Sequence, residues 1–560
     1  MKGPDRSRRV FLAGTSAVLL TLAQPPLPLG WLAYAGFVPF LLGLEGLKGG
    51  RAFRYGAFWG LLVNLMGLYW IALVNVGALA AALLYLALLD GLLAWLLTLP
   101  ATRYRTLLFP FLWTGFIWVK SLGQMGFPWL TLGLTQTWTP AALQGAALGG
   151  AWLIDLWVAG VNALLYMGIK ERLGPVSGIQ TSGGRRSWPR AVAPAALLTL
   201  VMLFYGRVVL TMGGADRWEG PVSGFTAEVG EVPPWRPPGS RAVRVGAVQG
   251  SLVPEVKLAT GKVDYNLYVY RRLSEVVVET ARRVGEEVDL LVWPETAVPA
   301  YIEGGARNRR TVEAIQRGLG PPLLTGAFAA EFLRGGGYRY HNAAYMVDST
   351  GAGSGDEVYR KRILVPFGER VPYQKVLGFL KDLSMGWSDF SPGGGAPLME
   401  TEQGAMEGVP VGILICYESV FARMVRTEVV DGARLLAVIT NDAWFGRTSG
   451  PYQHLQASAL RAVEFRRPVI RAANSGVSGF VDRWGRVHGA TPLFRKGAVM
   501  GRVWPEGGLT FYARTGDWVP LLSVVLAVVG LFFLRTGERR PGERERGTEC
   551  REPAPGRLVS

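Results

Sequence analysis

Apolar residues along this chain come in two rhythms. In the first 211 residues and again near the end they run almost unbroken, at 10–26, 28–46, 55–77, 78–100, 104–122, 144–169, 191–211 and 518–534. A bilayer core asks for about 20 mostly apolar residues per helix, so these stretches predict about eight membrane spans. Between 241 and 517 the apolar runs are much shorter, at 243–248, 289–293, 323–328, 343–347, 410–415 and 435–440, and read as buried strands. Leu267, Tyr270, Leu273, Val277, Ala281 and Val284 recur at helical spacing after the first of them. Strands alternating with amphipathic helices predict an α/β domain over 241–517, long enough for a core of its own. Residues 212–240, with Gly213, Gly214, Pro233, Pro234, Pro237 and Pro238, read as a linker, and the Arg/Glu-rich 537–560 as a disordered tail.

Charge orients the spans. A formal charge of +17 would suit nucleic acid, but the basic residues form no aromatic-interleaved patch. They cluster instead between spans. Lys2, Arg6, Arg8 and Arg9 precede the first span, Lys48, Arg51 and Arg54 follow the second, and Arg103 and Arg105 follow the fourth. Lys170, Arg172, Arg185, Arg186 and Arg190 follow the sixth, and the tail is again basic. The turns at 25–28 and near Asn75 carry no cation, and the loop after the fifth span has only Lys120. The positive-inside rule then places both termini in the cytoplasm and the α/β domain, inserted between spans seven and eight, outside. No nucleic-acid partner is expected. Ser7 to Leu12 reads like a twin-arginine export signal, but Gln24-Pro25-Pro26 is a poor cleavage site, so the first span (10–26) is expected to be retained.

Two cysteines, Cys416 and Cys550, are too few and too differently placed for a disulfide framework. Cys416 ends an apolar strand, where a free thiol is ordinarily packing. Two other reactive side chains sit at comparable places: Glu295 follows the strand at 289–293, and Lys361 lies within YRKRILVPFGE at 359–369. Taken singly, Glu295 would cap a segment, Lys361 would be one of several solvated cations, and Cys416 would fill space. The combination is far more specific than any one of them.

WPET at 293–296, YRKRILVPFGE at 359–369 and ICYE at 415–418, in that order, resemble the Glu, Lys and Cys motifs of the nitrilase superfamily. GFPWL at 126–130, NDAWFG at 441–446, GPYQH at 450–454 and YARTGDW at 512–518 narrow the resemblance to its membrane-embedded branch, the apolipoprotein N-acyltransferases. The resemblance implies a polytopic α-helical membrane domain carrying an extracytoplasmic nitrilase-like αββα sandwich. It implies transfer of an acyl chain from a phospholipid to the N-terminal α-amine of a diacylglyceryl-cysteine, at the outer leaflet of a bacterial inner membrane. The partners implied are the phospholipid donor, the diacylated apolipoprotein acceptor and the bilayer, with a single chain sufficient and no cofactor.

A thiol suits that reaction because it attacks an ester and leaves readily to an amine. An unperturbed cysteine is mostly protonated at neutral pH, so a base and a cation must stand close. By resemblance Cys416 is the nucleophile, Glu295 the general base and then acid, and Lys361 the oxyanion partner. Glu369 and Glu418 support them, Tyr417 lines the site, and Trp444 with Phe445 lines an acyl entrance or fills core. Two acids beside one lysine would hold its ammonium, although excess negative charge opposes thiolate formation. Asn474 reads as a turn residue, and Leu258 stands where familiar members carry a tryptophan. His341, His454 and His488, the only histidines, show no metal-ligand spacing, and no metal is expected. Three rivals remain: a membrane-tethered amidase using the same three residues, a papain-like Cys–His pair, and a non-catalytic scaffold. Glutamine at all three histidines is expected to leave Glu/Lys/Cys chemistry working.

Overall fold

The computed structural model describes residues 4–535 apart from 101, 174–187, 214–240, 260, 303–306, 349–357, 379–388, 396 and 402. The linker expected over 212–240, save its first two residues, the tail with Cys550, and Lys2, Arg185 and Arg186 lie outside the described residues.

The apolar stretches are helical, with departures from continuity in the second, third and sixth. The first forms Arg6–Leu22, whose start is capped by Asp5, its side chain accepting from the Arg8 N–H at 2.8 Å. The second breaks into a 3₁₀ turn Gly30–Leu32 and short helices Ala33–Gly36 and Val38–Gly43. Pro39 has no N–H to continue the ladder. Asn162 takes up two groups that a continuous helix would pair with each other, accepting from Phe37 N at 2.8 Å and donating to the Ala33 carbonyl at 2.8 Å. The third stretch divides into Gly50–Leu68 and the single turn Ile71–Val74 before Asn75 caps Val76–Leu97. Helices Thr102–Lys120, Ala146–Leu173, Trp188–Met212 and Trp518–Arg535 follow the remaining stretches. Among the described residues, Val76–Leu97, Ala146–Glu171 and Val192–Met212 are long and apolar enough to cross a membrane, and Gly30–Gly43 and Trp518–Phe533 are shorter apolar helices. Asp90, a buried carboxylate within the bundle, is partnered: it accepts from Asn64 at 2.8 Å and from Lys120 at 3.2 Å.

Twelve strands among the described residues build two sheets. They are β1 Val243–Gln249, β2 Leu290–Val292, β3 Val298–Tyr301, β4 Leu323–Phe332, β5 Tyr338–Val347, β6 Tyr359–Arg360, β7 Val411–Ile415, β8 Leu435–Thr440, β9 Val469–Ala473, β10 Gly479–Val481, β11 Val487–His488 and β12 Gly497–Val503. One sheet runs β12-β1-β2-β4-β5-β6 with β3 beside β4; the other runs β11-β10-β9-β8-β7. Strand alternation decides the layers. Val243, Val245 and Ala247 of β1 share a core with Ile413 and Ile415 of β7 and Leu435, Ala437 and Ile439 of β8, between the sheets. Val248 turns the other way, into a core with Leu267, Tyr270 and Val277 of helix Val263–Arg283. Leu414, Leu436 and Val438 turn outward from the second sheet, joining residues of helices Ala422–Val430 and Gly450–Phe465 and the membrane helices in one continuous core. The result is helix, sheet, sheet, helix, with one outer helical layer resting on the membrane part.

The stretches that distinguished the membrane-embedded branch meet at this junction. The Gln453 side chain accepts from the indole N–H groups of Trp70 at 3.2 Å and Trp129 at 2.8 Å. Asp517 accepts from Trp118 at 2.8 Å, Trp152 at 3.0 Å and Tyr512 at 2.7 Å. Helix Ala146–Leu173 bends at Gly150, which has φ 68° and whose absent Cβ would lie 2.6 Å from the Tyr512 ring. Just past the bend, Ala151 N donates to Glu464 at 2.7 Å.

Candidate active site

The three reactive side chains come together at the C-terminal ends of strands from both sheets. Glu295 follows β2 after Trp293 and Pro294, and its loop packs directly on β4 at Gly326. A Cβ there would come within 2.6 Å of Thr296 N and 2.8 Å of Glu295 Cα, so only glycine admits the loop. Lys361 follows β6, its main chain continuing the pairing with Asn342 of β5 at 2.8 Å. Cys416 follows β7 with φ 54°, a left-handed conformation costly for a side chain that bears a Cβ, and opens the 3₁₀ turn Cys416–Val420. That sharp turn lifts the half-buried thiol off the strand end.

A hydrogen-bonded cage surrounds the lysine. Its Nζ donates to Glu369 Oε1 at 2.8 Å and stands 3.4 Å from Glu295 Oε1. Asn342 Nδ2 bridges the same two carboxylates, at 2.7 Å to Glu295 and 3.2 Å to Glu369. Glu369 is anchored in turn by the Val365 N–H at 2.9 Å. Burial opposes the charge on Lys361, but Glu369 and Glu295 more than offset it and hold the ammonium above the ordinary lysine range. Burial first, and then the Glu295 charge, push the Cys416 thiol up; Lys361 and a hydrogen bond with Thr440 pull it down and do not prevail. The resting group is therefore a thiol, and a neighbouring base must take its proton as it attacks.

Glu418 does not join the lysine cage. Fully buried, it accepts from Tyr359 Oη and Ile415 N, both at 2.8 Å, and from Arg362 N at 2.6 Å and Ile363 N at 3.2 Å. It thus staples the cysteine turn to the segment carrying the lysine. Tyr417 turns toward the membrane part: its hydroxyl donates to the Gly126 carbonyl at 2.8 Å and its ring stacks on Trp129. Trp444 sits half-buried in the turn Asp442–Phe445, and Phe445 packs edge-on against Trp70, with centroids 4.5 Å apart. Asn474, expected as a turn residue, satisfies backbone of a distant segment, accepting from Leu252 N at 3.1 Å and donating to the Leu252 carbonyl at 2.6 Å. Leu258 is half-buried at the end of helix Pro254–Lys257.

Beneath the nucleophile lies a network that sequence reasoning missed. His454 Nε2 is 3.1 Å from the Cys416 carbonyl and 2.9 Å from Ser419 Oγ, and Ser419 Oγ itself donates to that carbonyl at 2.9 Å. His454 Nδ1 faces Asp442 at 2.9 Å, and Asp442 accepts from Thr440 at 2.8 Å and Arg471 at 2.7 Å. Burial disfavours the Asp442 charge, yet Arg471 and His454 hold its carboxyl well below the usual range. His454 therefore braces the main chain of Cys416. That contact sets His454 apart from the expectation that glutamine at all three histidines leaves the chemistry working, and predicts a loss of activity at this one. Asp442 was discoverable, standing at the end of β8 as Glu295 and Cys416 stand at the ends of theirs; Asn342 lies mid-strand and had no such mark.

Two family descriptions match the chain: the apolipoprotein N-acyltransferase N-terminal domain over residues 16–164, and carbon-nitrogen hydrolase over residues 244–515. Apolipoprotein N-acyltransferase of Geobacter metallireducens is 33% identical over 525 residues, covering 91% of this chain and 92% of the relative. This chain belongs to the apolipoprotein N-acyltransferase family. The Chlorobaculum tepidum apolipoprotein N-acyltransferase is 30% identical over 560 residues, covering 95% of this chain and 97% of that relative. Among solved structures, an amidase from Nesterenkonia superposes with a TM-score of 0.34 at 21% identity, covering 50% of this chain and 94% of its own. The two matches meet in the fold: Trp70 and Trp129 of the N-terminal-domain match donate to Gln453 of the hydrolase match.

Proposed function

We propose that this chain transfers an acyl chain from a membrane phospholipid to the N-terminal α-amine of the diacylglyceryl-cysteine of apolipoproteins, through a thioester on Cys416. The observation that carries the reading is the convergence of Glu295, Lys361 and Cys416 on one cage within a chain of this family. Glu295 takes the Cys416 proton as sulfur attacks the donor ester carbon, and the Lys361 ammonium faces the oxyanion that forms. Collapse expels the lysophospholipid alkoxide, which receives the proton back from Glu295. The acceptor amine then attacks the thioester, Glu295 removes its proton, and the amide forms as the thiolate departs and is reprotonated. Glu369 and Asn342 keep the lysine and the base in register, and Glu418 keeps the nucleophile beside them. Trp444 and Tyr417 stand on the side of the membrane part, where an acyl chain would arrive.

In this reading the eight apolar stretches are eight spans, with residues 1–211 forming the first seven and 518–536 the last. Both termini are cytoplasmic, and the domain 241–517 lies outside, over the leaflet that holds both lipid substrates. Acyl chains then stay in hydrocarbon while their carbonyls reach the site, and search becomes two-dimensional. One chain suffices.

The test is purified protein with labelled phospholipid and a diacylated lipopeptide. Hydroxylamine-sensitive label on Cys416, followed by one added acyl group on the peptide amine by mass spectrometry, is the expected result. Resistant or absent label would overturn it.

A further inference from the structure

A second buried ammonium stands beside the three reactive groups. Lys257 ends the short helix Pro254–Lys257, is fully buried, and donates from Nζ to the Glu295 carbonyl at 2.6 Å. The segment around it is tightly pinned. Asn266 Nδ2 donates to the Lys257 carbonyl at 2.8 Å, the Lys257 N–H to the Val253 carbonyl at 2.9 Å, and both ends of Asn474 hold Leu252. A buried ammonium is costly, and one carbonyl partner is poor compensation. An apolar side chain would serve mere packing better.

Charge balance around the thiol gives Lys257 a use. The lysine cage sets two carboxylates, Glu295 and Glu369, against one cation, Lys361. Proton loss from Cys416 would add a third anion, and Asp442 contributes a further negative field at the thiol from below. Burial opposes the charge on Lys257 and brings the ammonium down to about 7, while Glu295 after β2 and Cys416 after β7 favour the protonated form, so the positive charge is held below about pH 7.

We propose that Lys257 is a positioning residue of the acyl-transfer site, fixing the main chain of Glu295 and supplying the second positive charge against which Cys416 gives up its proton. The inference rests on the reading of Glu295 and Cys416 as base and nucleophile. It resolves the difficulty of two acids crowding one lysine beside a group that must become an anion.

The test is the pH dependence of Cys416 alkylation by iodoacetamide, followed by mass spectrometry in the full chain with Cys550→Ser. At pH 6, where the Lys257 ammonium keeps its proton, Lys257→Met is expected to slow alkylation roughly tenfold, and the difference should vanish by pH 9, where the wild-type amine is neutral. Lys257→Arg, which stays charged, should keep the wild-type rate at pH 6. A folded Lys257→Met protein with the wild-type rate at pH 6 overturns the proposal. If Lys257→Met does not fold, Lys257→Arg decides: a pH 6 rate lowered threefold or more overturns it, and an unmoved one supports it. Alkylation needs no lipid, so wild-type protein that alkylates normally but never forms an acyl-thioester would refute the acyl-transfer reading separately.

Discussion

Replacing Glu418 by glutamine removes one charge and almost no volume, and the cost follows from its four donors. Tyr359 Oη and Ile415 N converge on Oε2, and Arg362 N and Ile363 N on Oε1. An amide can accept at only one end. The lower-energy orientation turns its NH₂ toward Tyr359, whose hydroxyl can rotate and accept, but leaves the buried Ile415 N–H facing another donor. An orphaned buried donor costs about 1–3 kcal/mol, and the remaining bonds lose their charge assistance, so we expect about 3 kcal/mol in all. That corresponds to a fall in Tm of about 6–10 °C for a domain of this size. Ile415 immediately precedes the nucleophile, so a displacement near 1 Å should also cost roughly a hundredfold in turnover. The assays are thermal unfolding in detergent and acyl transfer to a lipopeptide.

The pH dependence has a definite sign. Burial, only partly opposed by the hydrogen bonds and Lys361, raises the Glu418 carboxyl above its ordinary range. The folded state therefore holds the proton more tightly than the unfolded one. This contribution to stability is complete below the unfolded carboxyl pKa and is lost as pH rises through the folded value. Wild type should gain on Glu418→Gln as pH falls from 8 toward 5. A variant that melts within 1 °C of wild type at neutral pH and keeps full turnover would refute the staple.

Three further substitutions probe the rest of the site. His454→Gln should lower turnover at least tenfold while His341→Gln and His488→Gln leave it within twofold, because only His454 braces the Cys416 carbonyl; equal activity of all three would contradict this. Asn342→Ala cuts the bridge between Glu295 and Glu369 and should reduce kcat by about ten- to a hundredfold with KM little changed, a split that steady-state kinetics reads directly. Gly326→Ala drives a methyl into the Glu295 main chain and should cost about 1–3 kcal/mol of stability together with most of the activity; a wild-type melting curve would show that the loop yields freely.

Much of this molecule was legible before any fold was known. Hydrophobic period separated long apolar helices from buried strands, because a bilayer and a sheet core impose different run lengths on the same apolar residues. Helix Val263–Arg283 lies where its spacing placed it, and strands β1, β2, β4, β5, β7 and β8 overlap the apolar runs. Glu295, Lys361 and Cys416 were visible because strand-end residues are held rigidly and presented outward, and because their motifs occur together. The break at Phe37 and the division after Leu68 were not foreseen, since an apolar count does not register a missing N–H or a side chain 125 positions away that satisfies the freed backbone.

What the tertiary structure alone decided is which charges stand near which. Lys257 and Asn342 have no mark of a role in their own sequence neighbourhood, and the GPYQH stretch that ends on His454 does not say what that histidine does. All three matter because folding brings them within hydrogen-bonding distance of Glu295 and Cys416 and excludes the water that would otherwise screen them. In the sequence Glu418 and Glu369 looked alike, two acids near one lysine. In the fold one cages the ammonium and the other binds backbone N–H groups, a distinction set by strand register and burial that no spacing along the chain contains.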